Sequence, residues 1–191
     1  WRCRTTVSRS HPSNRVARGR QVITPTKLSH KNGLSALRTR SCFAELVTPE
    51  TVYEADVATK ERHLLKQKPV PGYDPSKYTS EYLHATAPDG TKVPISVVYK
   101  KTTKIDGTAP LMVYGYGAYG ISMEPRFSST AVSLLDRGFV YATAHVRGGE
   151  EMGRAWYEDG RQLKKMNTFT DFIAVTEHLV KSKYGNPAKV W

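Results

Sequence analysis

LMVYGYGAYG, residues 111–120, joins a short apolar run to a turn in which Gly115, Gly117 and Gly120 alternate with tyrosines. Read outward, that run opens an alternation of strand and helix. SSTAVSLLDRG (128–138) places Ala131, Val132, Leu134 and Leu135 at helical spacing ahead of a terminating Gly138, and FVYATAHV (139–146) is apolar throughout. Strand, helix, strand is a βαβ unit and predicts a parallel α/β sheet. A second helix follows: Thr168 with Asp171 three residues on matches a capping box, and Phe169, Phe172, Ile173, Thr176, Leu179 and Val180 trace one face. Lys181 and Lys183 suit the negative end of its dipole, and Gly185 with Pro187 ends it.

Upstream the period is two. LVTPETVYEADVATKERHLLKQ reads as an antiparallel hairpin turning at Ala58-Thr59-Lys60. KQKPVPGYDPSKY (66–78) packs Pro69, Pro71, Gly72 and Pro75 into seven positions and reads as a linker. SEYLHATA (80–87) and KVPISVVYK (92–100) form a second hairpin around Pro88-Asp89-Gly90.

The net charge of +12 over 191 residues is confined to one end. Residues 1–42 hold ten Lys and Arg and no acid, whereas the remainder carries 19 bases against 17 acids. A stretch so rich in Arg, Ser and Thr and so poor in aromatic residues is expected to be disordered. It reads as an organelle-targeting leader, as a basic arm for nucleic acid, or as a mistranslated or mis-spliced leader over 1–45 that does not fold as written. The lack of interleaved aromatics argues against base stacking, so no nucleic-acid partner is expected. No run approaches the roughly 18 apolar residues of a bilayer span, which excludes a channel filter as the meaning of Gly115-Tyr116-Gly117 and predicts no membrane partner. Cys3 and Cys42 form neither a C-x-x-C pair nor a disulfide framework, which suits a reducing, cytoplasmic compartment.

Two chemistries compete for the glycine turn. Gly115, Gly117 and Gly120 spell G-x-G-x-x-G after a strand, and Asp136 stands at about the distance of a ribose-binding acid, as in a dinucleotide-dependent oxidoreductase. That fingerprint needs a helix opening on the last glycine. Ile121 to Pro125 follows instead, and Pro125 biases Glu124 away from the helical region. The other chemistry uses the tyrosines. A phenol at the carboxyl end of a strand is a protonated donor at neutral pH, and in α/β-hydrolases part of the oxyanion hole comes from the loop after the third strand.

PLMVYGYGAYGISMEPRFSS (110–129), LLDRGFVYATAHVRGGEEMGRAWYEDG (134–160) and KKMNTFTDFIAVTEHL (164–179) together resemble the prolyl oligopeptidase family of serine peptidases, and most nearly its oligopeptidase B branch. The resemblance covers about residues 46–191. It implies the N-terminal half of an α/β-hydrolase sheet preceded by the last strands of a β-propeller: propeller strands over 46–66, a hinge over 67–79 and the catalytic domain over 80–191. It puts Tyr116 in the place of the oxyanion-hole tyrosine. It further implies acyl-enzyme hydrolysis of short peptides after Lys or Arg, no cofactor, and a nucleophile elbow, Asp and His beyond Trp191, so that the chain is expected to be a fragment inactive on its own. The family's R-G-G-G-E becomes Arg147-Gly148-Gly149-Glu150-Glu151 here, and a positive φ at Glu150 would strain the loop.

Other candidates have plainer readings. His145 lies within a buried strand and reads as a satisfied core histidine. Arg147 is a candidate substrate-binding residue at a strand's carboxyl end, or the partner of Glu151 or Asp159 in a structural ion pair. Asp136 and Arg137 read as a solvated helix end, and Tyr157-Glu158-Asp159 point apart as chain neighbours do. His63, His84 and His178 show no ligand spacing with either cysteine, so no metal is expected.

Overall fold

The computed structural model describes residues 20–27, 37–56 and 59–191, with side chains from residue 45 onward. Two four-stranded sheets account for the strands. The first is an antiparallel meander in chain order: β1 (Arg20–Lys27), β2 (Leu37–Ala44), β3 (Thr51–Asp56) and β4 (Arg62–Gln67). β3 and β4 realise the predicted hairpin, and Lys60 in its turn takes φ 62°.

β1 and β2 correct the expectation of a strandless leader over 1–45. The reason is local. RQVITPTK holds four β-branched residues in eight, Val22, Ile23, Thr24 and Thr26, a preference that composition averaged over forty residues conceals. Pro25 is tolerated because β1 is an edge strand. The rest of the predicted leader, residues 1–19 and 28–36, lies outside the described residues.

The linker is anchored. Tyr73 donates its hydroxyl to the Val47 carbonyl at 2.6 Å and stacks on Tyr78 with ring centroids 5.1 Å apart. The second sheet begins there, two residues earlier than expected. Its order is β5 (Tyr78–Thr86), β6 (Lys92–Lys100), β8 (Val140–Ala144), β7 (Leu111–Tyr114). β5 pairs antiparallel with β6 and β6 antiparallel with β8, while β7 and β8 are parallel neighbours. Between the last two runs α1 (Ser129–Asp136), with Ser128 as its N-cap and Gly138 at φ 85° past its end. Beyond β7, Val190 bridges Leu111 in parallel, so a further parallel partner begins at that edge.

Both faces of this sheet are covered, which is why β6 and β8 read as continuous apolar runs. Val93, Ile95, Val97, Leu111, Val113, Val140 and Ala142 pack with Val175 and Leu179 of α3 (Met166–Lys181). On the other side Tyr78, Val98 and Leu135 of α1 cluster with Leu46 from the connection between β2 and β3. A short helix, α2 (Arg154–Glu158), precedes α3 and escaped the sequence reading because five residues carry no periodicity.

α3 departs from its predicted register. Its buried residues are Thr168, Asp171, Val175 and Leu179, whereas Phe169 and Ile173, assigned to the inner face, are 54 % and 55 % exposed. The capping box is also absent. The helix begins at Met166, so Thr168 and Asp171 lie inside its first turns, facing the sheet.

Candidate active site

The carboxyl ends of β7 and β8 lie side by side, and each strand continues into a glycine-rich loop. After β7 the turn 115–120 reverses the chain through left-handed backbone at Gly117 (φ 63°), Tyr119 (φ 55°) and Gly120 (φ 66°). At Gly117 a side chain has no room, since an added Cβ would stand 2.5 Å from Thr168 Cγ2 and 2.6 Å from Val146 Cγ2. Gly148, at φ 101°, is packed against the Gly117 carbonyl so closely that any Cβ there would overlap it. The two loops are tied together by the Gly120 amide, which donates to the Gly148 carbonyl at 3.0 Å. No helix opens on Gly120; the first helical residue is Ser129. The structural condition for the dinucleotide reading is therefore unmet.

Tyr116 leaves this turn 43 % exposed, and its hydroxyl has no hydrogen-bond partner among the described residues. The Gly117 carbonyl next to it is held from behind by Lys165, whose Nζ donates at 2.5 Å and also donates to Thr168 Oγ1 at 3.2 Å. Burial lowers the Lys165 pKa from its ordinary value.

Arg147, the candidate substrate-binding residue, is the opposite case, enclosed by its surroundings. It is 5 % exposed. Its Nε and Nη2 donate to the two carboxylate oxygens of Asp171 at 2.8 and 2.6 Å, a bidentate pair. Nη1 donates to Asp89 at 2.5 Å, and the Arg147 amide donates to Asp171 at 3.0 Å. The Arg147 carbonyl accepts from Thr168 Oγ1 at 2.7 Å. The guanidinium thus fastens the β5–β6 turn, the end of β8 and α3 to one point. Its hydrogen bonds to Asp171 push its pKa up despite burial, and its hydrogen bond holds Asp89 down to about 2. Neither expected partner, Glu151 or Asp159, is used. No local signal marked Asp171 as that partner, because its inward orientation is set by the register in which α3 packs on the sheet.

His145 is buried, with Nε2 2.8 Å from Ser96 Oγ, while Nδ1 makes no hydrogen bond and stands 3.9 Å from Glu151 Oε1. The histidine is therefore half satisfied, where the sequence reading expects full satisfaction. Ser96 is fully buried, so the cluster of Ser96, His145 and Glu151 is closed off from solvent. Glu151 Oε1 instead accepts from the Met123 amide at 2.8 Å, fastening the chain after the turn. Glu150 has no positive φ and replaces the family glycine without that strain. Asp136 accepts from Tyr78 and Lys100. Among the described residues no group of three or more His, Cys, Asp or Glu could hold a metal ion.

Comparison with known proteins identifies the arrangement. Residues 125–191 match the prolyl oligopeptidase family. The dipeptidyl aminopeptidase BI of Pseudoxanthomonas mexicana is 57 % identical over 152 residues, 79 % of this chain and 21 % of that protein. Residues 125–191 thus fall within the prolyl oligopeptidase family. Oligopeptidase B from Leishmania major superposes with a TM-score of 0.74 at 44 % identity, over 80 % of this chain and 22 % of that one. Prolyl oligopeptidase B from Galerina marginata gives 0.78 at 34 % identity, over 90 % and 24 %. The chain thus spans about a fifth of the length of the curated relatives it matches. The fold is that of the prolyl oligopeptidases, the N-terminal half of an α/β-hydrolase sheet preceded by strands of a β-propeller. A likeness over nine-tenths of the chain is longer than residues 46–191, so it reaches into the basic stretch that carries β1 and β2. Among the described residues no helix is long and apolar enough to cross a membrane.

Proposed function

We propose that this chain is part of a serine-type oligopeptidase that hydrolyses short peptides, with Tyr116 supplying one donor of the oxyanion hole. The observation that carries this reading is the unpaired, solvent-facing phenol at the carboxyl end of β7. In this mechanism a serine hydroxyl, on sequence this chain does not contain, attacks the scissile carbonyl while a histidine takes its proton. The carbonyl oxygen becomes negative, and the Tyr116 O–H, neutral at physiological pH, donates to it. Collapse breaks the C–N bond, the amine leaves with the histidine's proton, and water then hydrolyses the acyl ester. Without a nucleophile of its own, the 191-residue chain is inactive alone.

The finer assignments belong to the same reading. Cleavage after Lys or Arg follows from the resemblance to oligopeptidase B, and a cytoplasmic setting from the sparse cysteines. The hinge over 67–79 joins propeller strands to the catalytic domain. Arg147 is a structural residue that holds the β8 loop against α3 and touches no substrate.

The test joins this chain to the carboxyl-terminal remainder of the 57 % identical dipeptidyl aminopeptidase BI and follows chromogenic peptides ending in Arg, Lys or Pro. Hydrolysis of the basic substrates is expected, and Tyr116→Phe should lower turnover by about 10² to 10³. Undiminished turnover in Tyr116→Phe overturns the mechanism, and a preference for Pro overturns the specificity.

A further inference from the structure

The oxyanion donor is only as good as the turn that aims it, and that turn has a weak point. Tyr116 is followed by Gly117, a residue with no side chain to pack and a backbone in the left-handed region. Such a residue is the most freely rotating joint in a chain. The Gly117 carbonyl is nevertheless fixed in one direction, chiefly by the Lys165 ammonium at 2.5 Å, with a longer contact from Thr168 Oγ1 at 3.5 Å.

Lys165 pays unusual electrostatic costs to be there. It has no carboxylate partner among the described residues; its neighbours are the Gly117 carbonyl, the Thr168 hydroxyl and, 6.0 Å away, the face of Phe169. It is half-buried, which disfavours its charged form. It is also the N-cap of α3, where the helix dipole repels a cation. A lysine kept only for solubility would stand in water, away from a helix N-terminus. These unfavourable terms are offset by one strong contact, a charge-assisted hydrogen bond to the carbonyl of the residue after Tyr116.

We propose that Lys165 is a positioning residue for catalysis: its ammonium clamps the Gly117 carbonyl and thereby holds the Tyr116 phenol where the oxyanion forms. The proposal rests on the reading of Tyr116 as oxyanion donor. Its physical content is that a donor displaced by about 1 Å loses much of its effect on turnover while substrate binding, made elsewhere, is retained.

The experiment uses the joined enzyme described above and four variants. Lys165→Met should lower kcat by about tenfold or more with KM within about twofold, and Lys165→Arg, which keeps a charged donor, should recover most of the loss. Tyr116→Phe should be lowered further by no more than about twofold when Lys165→Met is added, because the clamp has nothing left to aim. Equal losses from Lys165→Met with Tyr116 intact and with Tyr116→Phe already in place would overturn the proposal, as would full turnover in Lys165→Met while Tyr116→Phe is impaired; either result leaves the oxyanion reading intact. Full turnover in Tyr116→Phe removes that reading and the proposal with it. Should the joined enzyme fail to fold, amide hydrogen exchange in the 191-residue chain decides. Exchange at Gly117 to Gly120 should quicken by about tenfold or more in Lys165→Met and not in Lys165→Arg, and unchanged exchange in Lys165→Met overturns the clamp.

Discussion

Strands β7 and β8 run in parallel side by side, and each ends in a glycine-rich loop at the same edge of the sheet. Tyr116 after β7 is exposed with its polar group unpaired, whereas Arg147 after β8 is buried with every guanidinium nitrogen paired. Under the proposed function, the difference separates work from support. A group meant for a ligand is left unsatisfied at the surface, where water fills its place cheaply. A group that organises the scaffold is sealed among its partners, where an unmade bond would cost several kcal/mol. Neighbouring loops of similar composition should therefore respond oppositely to substitution, one in turnover and the other in stability.

The largest expected effect is at Asp171. It is fully buried and accepts three hydrogen bonds from Arg147. Asp171→Ala leaves the guanidinium buried with only Asp89 as counter-charge, and should cost about 3 to 5 kcal/mol, read from urea unfolding of the 191-residue chain. Tyr116→Phe removes only an exposed, unpaired hydroxyl and should leave that midpoint within about 0.5 kcal/mol. If the two variants unfolded alike, the division of labour between the loops would be wrong.

Gly117→Ala sharpens the comparison, because this residue of the β7 turn packs directly against the β8 loop. The new methyl would meet Thr168 and Val146 at overlapping distance, on a backbone at φ 63°. A cost of about 1 to 3 kcal/mol is expected from the left-handed conformation and the packing conflict, together with a loss of turnover in the joined enzyme. Loss of stability without loss of turnover would mean that the turn does not aim Tyr116.

Asp89 should give a smaller effect, dependent on pH. Its hydrogen bond from Arg147 holds its folded pKa down to about 2, below the ordinary value near 3.9. A depressed carboxylate contributes stability that is complete above the unfolded pKa and lost as pH falls through the folded one. Stability should thus decline between about pH 4 and pH 2, and Asp89→Asn should flatten that part of the profile. The carboxylate is 45 % exposed, so solvent screening keeps the contribution small. An unchanged acid profile in Asp89→Asn would assign the acid sensitivity to other carboxylates.

Much of the second sheet was legible because its signals are local and agree. Alternation marked the hairpin of β5 and β6, Gly90 and Gly138 stood where left-handed backbone was needed, and the apolar runs of β7 and β8 matched strands covered on both faces. The turn carrying Tyr116 was legible for the same reason. What escaped depended on partners distant in sequence. Arg147 finds Asp89 and Asp171, 58 and 24 residues away, where local spacing offered Glu151 and Asp159. Asp171 itself looked like a cap three residues after Thr168, and only the sheet beneath shows that both face inward. β1 and β2 were hidden by a charge average that says nothing about ladder pairing.

The smallest expected effect tests the one register that the sequence pattern and the structure assign differently. The pattern put Ile173 on the inner face of α3, whereas the structure leaves it 55 % exposed and turns Asp171 and Val175 to the sheet. Ile173→Gln removes little buried surface at a position of nearly neutral helix propensity change, so its unfolding midpoint in the 191-residue chain should stay within about 0.5 kcal/mol. Val175→Gln, two residues on along the helix and fully buried, would instead bury an unsatisfied amide at a cost of several times that. A reversal of this order would rotate α3 about its axis, pull Asp171 off Arg147, and return the arginine to the list of groups free to meet a substrate.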